Sequence, residues 1–240
     1  MENKDLDYSR HYQNWHKDSP EHIEKMIRFY ETGVVPYLPK DRSLKILDIG
    51  CGMGFLLMAL QKAGYANSMG IDVDKSQVES CRMKNLNVIQ VSDTFSFLKE
   101  HAEEFDIVTA FDVIEHIPVG VQIDFVRNAF TSIKKGGQFI VTTPNANSVI
   151  ASRNRYIDYT HHCLFTEISL DFVLYNGGFR AITVYPFEYV FFNSTLKSLV
   201  HKLIFRFFRF FRRLQMMAEI GSTWGKKVPL SFNLLAVAQK

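Results

Sequence analysis

A turn with glycine at three alternate positions is the feature that most constrains this 240-residue chain. The apolar run 45–49 leads into Gly50, Gly52 and Gly54, and an amphipathic segment follows at once. Alternate glycines let the backbone reverse tightly and let a ligand lie against bare main chain. Asp72 comes where the second strand of a β-α-β unit should end, and a carboxylate there can accept both ribose hydroxyls. The pattern predicts a nucleoside-containing ligand.

The residues of the turn narrow the kind of nucleoside. Dinucleotide sites space their glycines as G-x-G-x-x-G, whereas the spacing here is G-x-G-x-G. The Lys-Ser/Thr pair of a P-loop is missing, and no Lys or Arg lies between Ile46 and Gln61. Asp48 adds a negative charge beside the turn. These features disfavour a phosphorylated ligand and favour a positively charged one.

Apolar runs and amphipathic segments alternate from residue 45 onward. Strands are predicted at 45–49, 66–71, 87–91, 105–111, 137–143, 178–185 and 231–238. Helices are predicted at 54–63, 75–84, 94–101, 122–133 and 166–176. Such alternation predicts an α/β fold with a mainly parallel sheet and helices on both faces. Ligands of such sheets bind beyond the carboxyl ends of the strands, where the polar residues that follow the strands should converge.

Five motifs follow one another between residues 45 and 145. They are LDIGCGMG at 47–54, GIDVD at 70–74, VSD at 91–93, FDIV through DVIEHIP at 105–118, and IKKGGQF at 133–139. In this order they resemble the class I S-adenosylmethionine-dependent methyltransferases. The resemblance implies a Rossmann-like seven-stranded sheet, mostly parallel with an antiparallel last strand. It also implies S-adenosylmethionine as methyl donor, with S-adenosylhomocysteine as its product.

The resemblance assigns cofactor roles to particular residues. Asp72 is expected to bind the ribose, and Asp93 lies where the family places an acceptor for the adenine amine. The other residues expected at the cofactor are Asp48, Gly50, Cys51, Gly52, Gly54, Val73 and Phe111. Residues 5–38 are predicted to form one or two helices. In the family such helices often cover the cofactor, so the candidates for a lid are Tyr8, Tyr12 and Trp15; the alternative is simple packing onto the core.

Methyl transfer to a hydroxyl needs aligned reactants and a base. His161 lies in the segment RYIDYTHH at 155–162, which holds two His and an Asp within five residues. Together with FTEISL at 165–170 and NGGF at 176–179, this segment resembles a subgroup of methyltransferases found among bacterial surface-polysaccharide enzymes, where it lies over the acceptor pocket. We predict that His161 is the base and that Asp158 orients it. The residues expected to bind the acceptor are Arg155, Tyr156, Thr160 and His162. The alternative is that His161 and His162 cap the following helix or bond the loop.

His116 is a second candidate base, because it follows Glu115 at the rim of the fourth strand. The pair is also interpreted as shaping the cofactor pocket without catalysis. Asp112, Glu115 and His116 offer oxygen and nitrogen ligands to a divalent ion that polarises a hydroxyl. The same side chains occur in metal-free relatives, so a reaction without metal is the prediction and a metal the alternative.

The methyl group is expected to be transferred to an oxygen atom of the acceptor. The place after the fourth strand reads Phe111-Asp112-Val113-Ile114 without the proline pair of enzymes that methylate base amines. The leading hypothesis is O-methylation of a sugar hydroxyl in a surface polysaccharide or its precursor. The alternatives are a quinone or phenolic acceptor, and a non-catalytic module that holds RNA or membrane. No sequence-specific nucleic acid is expected as partner, and a homodimer is left open.

The composition of the chain indicates the cellular compartment in which it is expected. An apolar content of 47% is ordinary for a globular protein. Cys51, Cys81 and Cys163 are isolated, which is typical of a reducing cytoplasm. No apolar run reaches the ~18 residues of a membrane span, and the first ten residues lack an apolar signal core. The chain is therefore expected to be cytoplasmic, with association to the inner face of the membrane left open.

The chain is predicted to have a helical cap at 1–40, a core at 41–186 and 229–240, and a helical insertion at 187–228. The stretch from Leu196 to Met217 carries six Lys or Arg and no acid. Its basic stripe is Lys202, Arg206, Arg209 and Arg213, with leucines and phenylalanines largely on other faces. A basic amphipathic helix can lie in an anionic membrane interface. The alternatives are a cap helix whose phenylalanines pack on the sheet and arginines that bind nucleotide-sugar phosphates.

Overall fold

A computed structural model describes residues 16–188 and 196–240. In these ranges seven strands form one sheet. The strands are β1 (Ile46–Ile49), β2 (Ser68–Asp72), β3 (Val88–Gln90), β4 (Phe105–Phe111), β5 (Ile133–Pro144), β6 (Ala181–Phe187) and β7 (Asn233–Gln239). Their order is β3-β2-β1-β4-β5-β7-β6. The first five strands run parallel, whereas β7 is antiparallel to both β5 and β6. The predicted mostly parallel sheet with an antiparallel last strand is confirmed.

The register brings the predicted site residues to one edge of the sheet. β1 is buried along its whole length, as expected of a strand that helices cover on both faces. Asp48 in β1 pairs with Gly70 in β2 and with Thr109 in β4. Asn233, the first residue of β7, pairs with Pro144, the last residue of β5. The start of β7 therefore lies at the carboxyl edge of the parallel strands.

Helices cover both faces of the sheet. They are α1 (Pro20–Gly33), α2 (Phe55–Lys62), α3 (Lys75–Met83), α4 (Thr94–Glu100), α5 (Gln122–Ser132), α6 (Ala151–Ile157), α7 (Glu167–Gly177), α8 (Leu196–Ile220) and α9 (Ser222–Gly225). Phe29, Leu57 and Val78 share one buried cluster, which joins α1, α2 and α3 to the sheet. Phe125 and Leu174 belong to the cluster on the other face, which joins α4, α5 and α7.

Two elements differ from the prediction. The sequence predicts no helix where α6 forms. The reason is that the polar sequence ASRNRYI carries little apolar periodicity. β5 begins at Ile133 instead of residue 137, since Ile133 already pairs with Phe105 of β4. The first difference adjoins the predicted acceptor segment, whereas the start of β5 lies at the opposite edge of the sheet from the site.

The predicted insertion contains α8 and α9. In α8 only Met216 is buried, although the helix is 25 residues long. Among the helices of the described ranges, none combines the length and apolarity that a bilayer crossing requires. The division into cap, core and insertion stays a prediction. Of the predicted cap, α1 packs directly on the core, because its Met26 shares a buried cluster with Ile46 of β1.

Candidate active site

The glycine turn joins β1 to α2 at the carboxyl edge of the sheet. Gly50, Gly52 and Gly54 have φ angles of 65°, 52° and 77°, in the left-handed region that other residues rarely adopt. A Cβ atom on Gly54 would also lie 2.3 Å from Cδ1 of Leu86. The backbone path of the turn therefore requires glycine, and it leaves main-chain N–H groups facing the end of β2.

Asp72, the last residue of β2, is bound to this turn. The amide of Gly52 donates to Oδ2 of Asp72 at 2.8 Å, and the amide of Asp74 donates to Oδ1 at 2.9 Å. Burial raises the pKa of Asp72, whereas the hydrogen bonds from Asp74 and Gly52 lower it. Each carboxylate oxygen has a second lone pair, so the group is oriented and still able to accept hydroxyl donors. Its role as the ribose ligand stays a prediction.

Asp48 is buried in β1, one strand residue before the turn. The hydroxyl of Thr109 donates to its Oδ1 at 2.7 Å. Burial and, to a smaller extent, the nearby charge of Asp72 raise the pKa of Asp48, and the hydrogen bond from Thr109 lowers it. The net result is a pKa of about 7. A cation in the cleft would favour the ionised form of Asp48.

We expect Asp48→Asn to stabilise the ligand-free protein in a pH-dependent way. The folded state keeps a proton on Asp48 that the unfolded chain releases near pH 4, so stability falls as pH rises from about 4 to about 7. The variant lacks this loss. Its gain in unfolding free energy should be near zero at pH 4 and about 1 to 4 kcal/mol at pH 8.

Thermal unfolding of both proteins across this pH range measures the difference, which corresponds to several degrees of Tm at pH 8. The surface variant Asp41→Asn serves as control and should show no difference that grows between pH 4 and 8. A Tm difference for Asp48→Asn that is constant over the whole range would contradict the assigned pKa.

The other predicted cofactor residues lie around the turn in different environments. Cys51 is buried, and its hydrogen bond with Cys81 together with burial raises its pKa, so it is a neutral thiol. Val73 is 61% exposed. Phe111 stacks on Tyr30 of α1 with ring centroids 5.8 Å apart. The predicted lid residues Tyr8, Tyr12 and Trp15 lie outside the described residues.

Asp93 has a structural function that the sequence prediction did not include. Its side chain caps α4, accepting from the amides of Phe95 and Ser96 at 3.1 and 3.0 Å. The hydroxyl of Ser96 also donates to it, and this hydrogen bond lowers the pKa of Asp93. The group is therefore an ionised, exposed N-cap, and its contact with an adenine amine stays a prediction.

Asp158, Thr160 and His116 form a chain of hydrogen bonds at the rim. The Thr160 hydroxyl donates to Oδ1 of Asp158 at 2.6 Å. Because that proton is directed to Asp158, the same oxygen accepts from Nδ1–H of His116 at 2.7 Å. His116 is thereby assigned the tautomer whose Nε2 carries the lone pair. Thr160 thus connects a buried carboxylate to an imidazole, and its predicted contact with the acceptor stays a prediction.

His161 is oriented by a different group. Its Nδ1 lies 2.7 Å from the carbonyl oxygen of Asn154 in α6, so Nδ1 is the donor and Nε2 the acceptor. The predicted orientation of the His161 ring by Asp158 stays a prediction: the carboxylate of Asp158 accepts from Thr160, and its backbone oxygen accepts from the His161 amide. The rings of His161 and His116 pack edge to face, with centroids 4.6 Å apart.

Glu115 completes this group of side chains. It is fully buried, its Oε2 accepts from Thr143 at 3.0 Å, and its Oε1 has no hydrogen-bond partner among the described residues. Burial and the nearby charge of Asp112 raise its pKa well above the ordinary value. One ligand-type atom each from Glu115, His116 and His161 lie within 4.8 Å of one another. Within the described residues, the side chains close enough to share a metal ion are therefore Glu115, His116 and His161. The sequence had suggested Asp112 in the place that His161 takes.

The remaining acceptor candidates line the same segment. Arg155 lies over the ring of Tyr156 at 5.3 Å, and Tyr156 is 78% exposed. The side chain of His162 is exposed, while its amide donates to the carbonyl oxygen of Glu115 at 2.7 Å. These residues therefore border the rim on the solvent side, and their contact with an acceptor stays a prediction.

Sequence reasoning missed three groups that build the rim. The carbonyl of Asn154 orients His161, Thr143 binds Glu115, and Asn233 donates to Oδ1 of Asp112 at 3.0 Å. Thr143 could have been predicted to lie at the site, because it is a polar residue at the end of β5. Asn233 lies 121 residues after Asp112, so only the strand order could have indicated this contact.

The sheet order with its antiparallel last strand, the glycine turn after β1 and the carboxylate that ends β2 define a class I methyltransferase fold. Residues 8–184, more than half of the chain, match a family described as a methyltransferase domain. The chain belongs to this family, and that part of the sequence prediction is confirmed.

Solved structures share the fold. A SAM-dependent methyltransferase from Archaeoglobus fulgidus superposes with a TM-score of 0.67 at 20% identity, covering 98% of this chain and all of that one. A possible histamine N-methyltransferase from Thermotoga maritima superposes with a TM-score of 0.64 at 16% identity, covering 97% and 96% of the two chains.

One sequence relative is the ubiquinone biosynthesis O-methyltransferase of Coxiella burnetii. It is 30% identical over 138 residues, which are 55% of this chain and 55% of the relative. The chain thus spans about half the length of the curated relatives it matches.

Proposed function

We propose that the protein transfers a methyl group from S-adenosylmethionine to a hydroxyl oxygen of a quinone or phenolic ring. The glycine turn and the oriented carboxylate of Asp72 support the donor site, because bare main chain and a carboxylate suit an adenosyl group with a cationic end. The observation that carries the O-methyl chemistry is the pair of imidazoles at the same edge, His116 and His161, whose Nε2 atoms carry the lone pairs.

The reaction is an in-line displacement at the methyl carbon. A lone pair of the acceptor oxygen forms the O–C bond while the S–C bond breaks and its electron pair stays on sulfur. The hydroxyl proton moves to Nε2 of His161, which the Asn154 carbonyl holds in the accepting tautomer. His116, fixed through Thr160 and Asp158, packs against the ring of His161 and limits its orientation.

The acidity of the acceptor favours a ring hydroxyl. A phenol loses its proton near pH 10, whereas a sugar hydroxyl lies between that value and the pKa of water, about 15.7. Each further unit adds about 1.4 kcal/mol to the transfer of the proton to an imidazole. A phenolic or hydroquinone acceptor is therefore the better match for a histidine base, and it agrees with the name of the Coxiella burnetii relative.

A sugar hydroxyl is the second candidate acceptor. The segment from Arg155 to His162 resembles that of polysaccharide methyltransferases, and it exposes the rings of Tyr156 and Tyr159 by 78% and 88%. Exposed aromatic rings beside a guanidinium offer an apolar face and hydrogen-bond donors to a glycan.

Glu115, His116 and His161 also fit a divalent cation. They supply one carboxylate oxygen and two imidazole nitrogens, and the unpartnered Oε1 of Glu115 is a buried oxygen that a cation would satisfy. Two imidazoles favour zinc, iron or manganese over magnesium and calcium. A cation bound there would lower the pKa of an acceptor hydroxyl, which would also make a sugar accessible.

Calorimetry and an acceptor screen test the proposed function. We expect S-adenosylmethionine and S-adenosylhomocysteine to bind, NAD and ATP not to bind, and S-adenosylhomocysteine to accumulate with catechol or hydroquinone acceptors. Binding of the donor without turnover on any hydroxyl acceptor would favour a non-catalytic module. Turnover with glycans alone would select the second candidate.

Treatment of the wild-type protein with a chelator separates the two assignments of His161. If His161 is the base, turnover is unchanged after the chelator has been removed by dialysis. If turnover disappears and returns with zinc or manganese, His161 is a metal ligand.

A further inference from the structure

We propose that α8 is a membrane-docking helix whose apolar face enters the interface of a bilayer that contains anionic lipid. The helix extends over 25 residues, from Leu196 to Ile220, and Met216 is its single buried residue. A helix of a globular protein normally buries its apolar stripe against the core. α8 does not, so its sequence has to be explained by another contact.

The outer face of α8 is a set of ten apolar side chains that are 42–77% exposed. They are Leu196, Leu199, Val200, Leu203, Ile204, Phe207, Phe208, Phe210, Phe211 and Leu214. At 100° per residue these positions fall within one half of the helix circumference. They therefore form a continuous apolar surface about 27 Å long, since each residue of a helix rises about 1.5 Å.

The inner face of α8 is the more polar one. Arg209 forms an ion pair with Glu188, and Arg213 donates to the carbonyls of Gly225 and Val228, both at 2.6 Å. Met216 packs with Val228 and Leu230. Arg209 and Arg213 thus attach the helix to the body of the protein, while the four exposed phenylalanines, Phe207, Phe208, Phe210 and Phe211, point away from it.

This arrangement argues against two interpretations of the sequence. A cap helix would have packed its phenylalanines on the sheet, but Phe207 and Phe211 are 58% and 51% exposed. Arg209 and Arg213 do line a cavity of about 550 Å³, but Glu167 and Asp171 line it too, and these carboxylates would repel a nucleotide-sugar phosphate. Both guanidinium groups are also already bonded, to Glu188 and to main-chain carbonyls. The membrane interpretation is the one that agrees with the direction of both kinds of side chain.

Charge selects a lipid surface over a second copy of the chain. Between Leu196 and Met217 there are six basic residues and no acid. Lys197 lies at one margin of the outer face, and Lys202 and Arg206 lie at the other. Two copies that joined by this face would bring like charges together, whereas anionic headgroups complement them. Apolar residues on one side and basic residues at the margins are typical of helices that lie in the plane of the interface.

Vesicle co-sedimentation of the full chain tests this proposal without donor or acceptor, so the result is independent of methyl transfer. We expect the protein to sediment at low salt with vesicles of phosphatidylglycerol and phosphatidylcholine in equal parts, and to stay in the supernatant with phosphatidylcholine alone. The double variant Phe207→Ser/Phe211→Ser should lower the partition coefficient about 100-fold. Lys202→Gln/Arg206→Gln should lower it about 30-fold.

The matched control is Phe172→Ser, which removes an equally exposed phenylalanine (60%) from α7. It should bind vesicles like the wild type. A wild-type protein that stays in the supernatant with anionic vesicles at low salt overturns the proposal. So does a dimer that Phe207→Ser/Phe211→Ser converts to monomer in light scattering, since a second copy would then cover the outer face.

Discussion

Replacing His161 by Ala is expected to lower turnover about a thousandfold while the Kd for S-adenosylmethionine stays at the wild-type value. On the proposed mechanism the imidazole accepts the proton of the acceptor hydroxyl in the transition state and does not contribute to the donor site in the ground state, so the loss should appear in kcat. Steady-state kinetics with a catechol acceptor, together with calorimetry for the donor, measures the two quantities separately.

His162→Ala is the matched control for this prediction. The two histidines are adjacent, but the His162 side chain is exposed and only its amide contacts Glu115. Because His162 is expected to contact the acceptor and not to move its proton, its removal should raise KM for the acceptor at most and leave kcat within about a factor of three. Equal losses in both variants would indicate that the loop has been disturbed, and an unchanged kcat in His161→Ala would remove His161 from the role of base.

Asp72→Ala should weaken binding of S-adenosylmethionine about 100-fold, because on the proposed function it removes two hydrogen bonds between the carboxylate and the ribose hydroxyls. The substitution also removes the acceptor of the Gly52 and Asp74 amides, so the turn itself becomes less ordered. Calorimetry gives the affinity, and thermal unfolding shows whether the fold survives.

Asp74→Ala provides the comparison, since it removes a carboxylate two residues away. Asp74 caps α3 by accepting from the amides of Ser76 and Gln77. Its loss should cost about 1 kcal/mol of stability and leave donor affinity nearly unchanged. If a folded Asp72→Ala protein binds the donor like the wild type, the nucleoside site lies elsewhere.

The sequence was sufficient where a local pattern has one physical explanation. The alternate glycines imply left-handed φ angles, and the structure has them at Gly50, Gly52 and Gly54. The end of the second apolar run placed Asp72 at the end of β2, one residue beyond the predicted strand 66–71. Parallel strands bring such positions to one edge, so the position of Asp72 beside the glycine turn could be predicted.

The rim could not be predicted in the same way, because its hydrogen bonds join distant segments through groups with several possible partners. Asp158 lies close to His161 in sequence but binds Thr160, which turns to His116. The partner of His161 is a main-chain carbonyl in α6, and any residue could supply that group. The direction of α8 was equally open, since an amphipathic pattern defines two faces without saying which one the protein covers.

The two strands that bracket α8 are immediate neighbours: Phe187 closes β6 opposite Asn233, which opens β7. Paired strands are about 4.8 Å apart, a gap that a two-residue hairpin can bridge. The segment with α8 and α9 therefore connects two neighbouring strands, as a hairpin loop would. It can be exchanged without altering the strand order. The proposed membrane contact and the proposed methyl transfer can then evolve as separate traits.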